Sequence, residues 1–226
     1  TYSVSSASSV HAGTYSVVVS NMAGTLESTG ASLTVNTPVA ITSNPVSQTV
    51  NPGSVATFNV AVTGTTPITY QWRKDGANIA GATASSYFIN SVSTADAGSY
   101  SVVLSNPAGS LTSTSAILTV NTPVSITAQP ASITLNTGSL ATFSVSATGT
   151  APITYQWRKN GANIAGATAA SYSITSVSTA DAGSYSVVLS NPAGPITSAS
   201  AILTVNTPVS ITAQPASITP VSYTHL

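Results

Sequence analysis

One stretch recurs along the chain, and its spacing restricts the fold more than any other feature. The segment Ser93-Thr-Ala-Asp-Ala-Gly-Ser-Tyr-Ser-Val-Val-Leu-Ser-Asn-Pro-Ala-Gly109 returns at residues 178–194 and, more loosely, at residues 8–24. Trp72 and Trp157 are 85 residues apart, and the same interval separates Tyr15, Tyr100 and Tyr185. Asn-Thr-Pro-Val segments begin at Asn36, Asn121 and Asn206, again at that interval. Solenoids repeat every ~20–50 residues, so this longer period asks each repeat to close a core of its own. Proline bars the preceding strand from simply continuing, which makes each Asn-Thr-Pro a boundary. Residues 37–121 and 122–206 therefore read as complete domains. Residues 1–36 read as the last three strands of a truncated one, and 207–220 as the opening strand of another.

Within 37–121, apolar and polar residues alternate with the period of two that a half-buried strand requires. Residues 41–42 and 47–50 read as a first strand split at Asn44-Pro45, and residues 56–62 as the next. Thr69-Tyr-Gln-Trp-Arg73 follows, closed by an Asp75-Gly76 turn, and a short strand is expected at 77–79. Further strands are expected at 87–89, 99–105 and 115–120. Ser105-Asn-Pro-Ala-Gly109 has the chemistry of a tight hairpin, with proline presetting φ and Gly109 able to turn left-handed after it. No segment carries a helical period, so the chain reads as all-β.

The centre of the recurrent stretch, from Asp96 through Gly98 and Tyr100 to Val102, resembles the Asp-x-Gly-x-Tyr-x-Cys segment of immunoglobulin-like domains, with valine at the cysteine. The likeness is I-set-like and cysteine-free, and it covers both complete repeats. It implies tandem β-sandwiches, each of two antiparallel sheets in a Greek key about 10 Å apart. Phe58 and Val60 on strand B would then face Trp72 on C, with Tyr100, Val102 and Leu104 on F. Tyr87 and Ile89 on E, with Leu118 and Val120 on G, would complete the inner faces. The copies are Phe143, Val145, Trp157, Tyr172, Ile174, Tyr185, Val187, Leu189, Leu203 and Val205. Tyr100 and Tyr185 fit the family's tyrosine corner, whose hydroxyl bonds back to upstream backbone. Asp96 and Asp181 read as caps of the E–F turn, and Gly98 and Gly183 as turn glycines. Val60 with Val102, and Val145 with Val187, stand where the inter-sheet disulfide would be. Such a bridge is worth ~2–4 kcal/mol, and a buried valine returns ~1.5–3 kcal/mol, so the exchange is near neutral.

Composition removes several functions. Charged residues are 4 % of the chain and cancel, so no field steers nucleic acid or anionic lipid. Hydrophobic residues reach 42 % and alternate with Ser and Thr, which argues against disorder, and no apolar run is long enough for a membrane helix. Cysteine is absent. A nucleophile with its base, paired acids or a metal cluster would mark an enzyme. His11 stands where the complete repeats have Asp96 and Asp181, and the acids are too dispersed to supply the oxygens that calcium needs. No cofactor, metal or catalytic residue is expected. Phe88 is the one outward aromatic, and its copy is Ser173, so no sugar-stacking platform repeats. Arg73-Lys74 and Arg158-Lys159 read as solvated strand ends.

Cysteine-free arrays of this style resemble those of large secreted or surface-attached bacterial proteins. The resemblance implies an extracellular spacer or stalk, non-catalytic, whose partners are neighbouring repeats of the same chain. A module binding glycans or other surface proteins, and an appendage of a secreted hydrolase, are the alternatives. The chain does not begin with Met and carries no signal peptide, and it reads as an internal fragment. At Pro220 the copy of the repeat stops. Val221-Ser-Tyr-Thr-His-Leu226 matches the translation of a transposase sequencing adaptor and is expected to be a non-native tail. Long-read DNA through the same locus should diverge from those six codons; an uninterrupted continuation through them would restore the tail to the protein.

Overall fold

A computed structural model describes residues 1–220 and residue 222, so the assignment made to Val221 and to Tyr223 through Leu226 lies outside the described residues. The chain separates into two compact units, Thr1–Thr122 and Pro123–Leu226. In the first unit, residues 1–36 form β1 (Gly13–Tyr15), β2 (Val18–Asn21), β3 (Gly24–Glu27) and β4 (Ala31–Leu33). Antiparallel ladders join β1 to β4 and β2 to β3. Only two of the three strands expected there, F and G, take strand form. Tyr2 and Val4 match Tyr87 and Ile89, whose ladder partners Phe58 and Ala56 belong to strand B, and residues 1–36 hold no such strand. Val17, Val19 and Leu26 accordingly remain exposed.

Residues 37–121 form β5 (Ala40–Ser43), β6 (Gln48–Val50), β7 (Ala56–Asn59), β8 (Ala61–Thr63) and β9 (Thr69–Lys74). They continue with β10 (Ala77–Asn78), β11 (Ser86–Ile89), β12 (Gly98–Asn106), β13 (Gly109–Thr112) and β14 (Ala116–Val120). One sheet runs β10-β9-β12-β14-β6, with β13 also paired to β12. Facing it, β7 and β8 are two halves of one strand, the first pairing β11 and the second pairing β5. The split of the first strand has a physical basis. Pro45 cannot donate to a ladder, so β5 leaves its partner β8 there and β6 crosses to the facing sheet, parallel to β14.

The second unit repeats this order through β15 (Ser125–Ala128), β16 (Ile133–Asn136), β17 (Ala141–Ser144), β18 (Ser146–Thr148) and β19 (Thr154–Lys159). It closes with β20 (Ala162–Asn163), β21 (Ser171–Ile174), β22 (Gly183–Asn191), β23 (Gly194–Thr197) and β24 (Ala201–Asn206). Residues 207–220, expected as the opening of a further repeat, form no strand. Their counterparts β15 and β16 are held by β18 and β24, and the described residues beyond 206 contain no equivalent of either.

Alternation sets what each sheet buries. Phe58 and Val60 from one sheet meet Trp72, Tyr100, Val102, Leu104 and Leu118 from the other, all buried, with Tyr87 and Ile89 half-buried at the margin. Phe143, Val145, Trp157, Tyr185, Val187, Leu189 and Leu203 occupy the same places in the second module. Sequence periodicity passes over Val92 and Val177, which are buried although they lie in the E–F connection, and Val39 and Val124, which plug each module just after its Asn-Thr-Pro. Strand G is broken as well. Ser113 N–H donates to the Val102 carbonyl at 3.0 Å, and the Ser113 hydroxyl takes the Val102 N–H at 3.0 Å. One side chain thereby replaces a ladder carbonyl and lets β13 and β14 sit in different registers on β12, a bulge in function.

Trp72 is the largest fully buried side chain of its module. Its ring lies 6.2 Å from both Phe58 and Tyr87, and its indole N–H donates to the Ala84 carbonyl at 2.9 Å. Trp72→Ala should cost ~3–5 kcal/mol in chemical denaturation and leave the second module's transition in place. A single unshifted transition for the whole chain would show that this ring does not hold its module.

Candidate functional site

The most organised polar cluster sits where β12 leaves the E–F turn. Residues 94–96 make one turn of 3₁₀ helix, because Ser93 and Asp96 close a reciprocal cap around it. The Ser93 N–H and hydroxyl both donate to Asp96 Oδ2 at 2.7 Å. Tyr100 then reaches back over the turn and donates its hydroxyl to the Asp96 carbonyl at 2.7 Å. Asp181, Ser178 and Tyr185 repeat every contact, with the tyrosine bond again 2.7 Å. Burial pushes both phenols up to about 12, because ionising either would place charge against the core.

The looser copy performs the same closure with a different chemical group. His11 Nδ1 accepts the Ser8 N–H at 3.0 Å and lies 2.9 Å from the Ser8 hydroxyl, while Tyr15 donates to the His11 carbonyl at 2.7 Å. An imidazole nitrogen thus takes the place of a carboxylate oxygen. The turn needs an acceptor at this position and does not need a charge.

A second clamp crosses from the β9–β10 hairpin. Asp75 adopts φ +50 and accepts the Ser99 N–H on Oδ1 at 2.8 Å, while its own N–H donates to the Ser99 carbonyl at 2.8 Å. Gly98 is required here: a Cβ would come within 2.7 Å of an Asp75 carboxylate oxygen. Asn160 does this work over Gly183, with φ +49 and a 2.9 Å bond from the Ser184 N–H. Lys74 donates to the Ala95 carbonyl at 3.0 Å and lies 3.5 Å from Asp75, so one half of the first basic pair is tied to the turn. Arg73 donates to Asn78. The clamp is invisible to residue periodicity, but an Asp-Gly or Asn-Gly pair after a strand is its one signal.

Asn106, expected in the F–G hairpin, also binds beyond it. Its side chain accepts the Ala108 N–H within the F–G turn and donates to the carbonyls of Thr37 and Thr65 at 2.8 and 3.0 Å. Three loops are tied at that end of the module. Between residues 80–84 and 86–88 lies a shallow hollow of about 320 Å³, with a counterpart of about 240 Å³ along residues 165–169 and 171–173. Both are lined by small and hydroxyl-bearing residues, to which the first adds Phe88. Among the described residues no group of three His, Cys, Asp or Glu is placed to hold a metal, and no helix is long and apolar enough to cross a membrane.

Repeated two-sheet sandwiches, each with a tyrosine corner and a tryptophan core, define a class of modular β proteins. The Immunoglobulin domain family matches residues 38–106 and 123–191, and the chain belongs to that family. Muscle M-line assembly protein unc-89 of Caenorhabditis elegans is 37% identical over 220 residues, covering 87% of this chain and 3% of that protein. Roundabout homolog 3 of Homo sapiens is 30% identical over 158 residues, 68% of this chain and 11% of that protein. Endoglucanase C of Cellulomonas fimi is 30% identical over 190 residues, 79% of this chain and 17% of the enzyme. Among solved structures, an I-band fragment of titin superposes with TM-score 0.67 at 27% identity, over 76% of this chain and 66% of its own. The chain thus spans a small part of these curated relatives. Tandem immunoglobulin domains of this kind support a structural or interaction role.

Acid separates the two modules. The Ser93 hydroxyl and N–H hold Asp96 below its ordinary value of 3.8, and the Ser99 N–H, aided by Lys74, does the same for Asp75. Asp181 is lowered by Ser178, but Asn160 does not titrate. Groups lowered on folding stabilise above their unfolded value, and that stability is lost as pH falls through the folded one. Below pH 3.8 the first module should therefore lose more stability than the second. Asp75→Asn should shrink the acid-induced drop in its melting temperature; an unchanged drop would remove Asp75 from the account.

Proposed function

We propose that this chain is a non-catalytic segment of an extracellular immunoglobulin-like array, a spacer or stalk in a bacterial surface or secreted protein. One observation carries the reading. The two modules are identical over residues 91–109 and 176–194, which build the corner and the central strand, while some exposed positions elsewhere differ. Phe88 becomes Ser173, and Asp75 becomes Asn160. A binding surface shared by the modules would repeat its exposed anchors, and the one exposed aromatic of the first module has no partner in the second. The Val60 and Val102 pair, with Val145 and Val187, fills the core where a disulfide would stand, so closure needs no oxidising step. Neighbouring repeats are the partners this reading requires; it requires no cofactor, metal or nucleic acid.

The likeness to Endoglucanase C favours a second reading, in which these modules are accessory domains of a secreted hydrolase whose catalytic part lies elsewhere. The hollow beside residues 86–88 would then be the place for a sugar, since it lies next to Phe88. A glycan array and an insoluble-polysaccharide pull-down with residues 37–206 distinguish the two. The spacer reading expects no retained ligand. A reproducible glycan whose binding is lost on Phe88→Ser would replace it with the accessory one.

A further inference from the structure

Asn160-Gly161 is the one Asn-Gly pair in the sequence, and it sits at the tip of the hairpin that pairs Lys159 with Ala162. Asn160 is exposed, and both residues take positive φ, +49 and +85. Among the described residues the Gly161 N–H and the Asn160 Nδ2 meet no acceptor. Oδ1 accepts the Ser184 N–H at 2.9 Å, which draws electron density from Cγ. A nucleophile without a side chain, an unbound leaving group and a polarised electrophile therefore occupy adjacent residues.

We propose that Asn160 is a spontaneous modification site of the folded chain, converted to an acid by attack of its neighbour's main-chain nitrogen. The Gly161 nitrogen bonds to Asn160 Cγ, the side-chain amine leaves with a proton as ammonia, and a five-membered imide forms. Water then adds to the imide. Opening at the Cγ–N bond gives aspartate with the backbone restored; opening at the main-chain carbonyl gives the isoaspartyl link. Nothing is oxidised or reduced, and water is the only co-reactant.

The sibling module shows what the fold makes of each product. Asp75 already stands at the equivalent point with φ +50 and accepts the Ser99 N–H at 2.8 Å, so an aspartate at 160 enters a geometry this fold holds. It would add a carboxylate beside Lys159, as Asp75 stands 3.5 Å from Lys74. The isoaspartyl product lengthens the main chain inside a two-residue turn and removes the acceptor from the Ser184 N–H. One product makes the second module resemble the first, and the other opens the clamp between hairpin and strand β22.

The whole folded chain is incubated in heavy-oxygen water at mildly alkaline pH, then mapped by mass spectrometry after Asp-directed cleavage, which cuts at aspartyl and not isoaspartyl links. Heavy oxygen should enter at Asn160 while Asn90, followed by serine, keeps its amide. Retention of the amide at Asn160 over the time in which the urea-unfolded chain converts it would overturn the proposal. In parallel, Asn160→Asp should melt at the wild-type temperature. Loss of its cooperative transition would overturn the claim that the fold accepts the aspartyl product.

Discussion

Tyr100 is the side chain on which closure of the module depends. Its ring stacks on Phe58 of the facing sheet at 4.6 Å between centroids, and its hydroxyl is spent on the Asp96 carbonyl. Apolar attraction between two sheets has no direction, and without a covalent bridge it would tolerate sliding. Residues with an apolar body and one polar tip supply the missing direction. Tyr100 and Trp72 each bury a ring between the sheets and fix its orientation through one backbone carbonyl. Leaving either tip unpaired would cost ~1–3 kcal/mol, so the ring can pack in few other ways.

With so little charge available, polar order is carried by hydroxyls and amides. No buried side-chain nitrogen or oxygen among the described residues lacks a partner. Ser113 shows how economical this is, since one hydroxyl accepts the Val102 N–H and donates to the Thr114 carbonyl at 2.9 Å. Alanine at that site would remove the hydroxyl and strand the Val102 N–H in the core. Ser198 makes the same pair of contacts with Val187 and Ala199. The serine and threonine richness that replaces surface charge also does structural work inside.

Period-two alternation groups Phe58 with Val60, and Tyr100 with Val102, on common faces, because side chains on a strand have only two directions to choose from. That those faces and Trp72 point inward is what the immunoglobulin-like resemblance implies, and all five are buried. Val92 follows from neither, since it lies in a connection and is buried by the path of the E–F turn across the sandwich mouth. Asp75 and Ser113 are hidden for another reason. Their partners, Ser99 and Val102, are backbone groups on a distant strand, and a backbone N–H has no letter in a sequence. The strands missing from 1–36 and 207–220 fail for want of ladder partners: alternation marks the capacity to pair, and pairing needs the other strand.

The three E–F turns, set side by side, separate what this fold demands from what it permits. Tyr15, Tyr100 and Tyr185 all donate to the carbonyl four residues upstream. The capping acceptor is a carboxylate in two copies and an imidazole nitrogen in the third, and the clamp from the β9–β10 hairpin is a carboxylate in one module and an amide in the other. Acceptor geometry is held constant while charge varies. A site that bound a cation or positioned a proton would require the reverse, a fixed charge on adjustable geometry. The most ordered polar cluster of the chain therefore fixes the path of the E–F turn onto strand F, and each copy closes that turn with the same tyrosine bond.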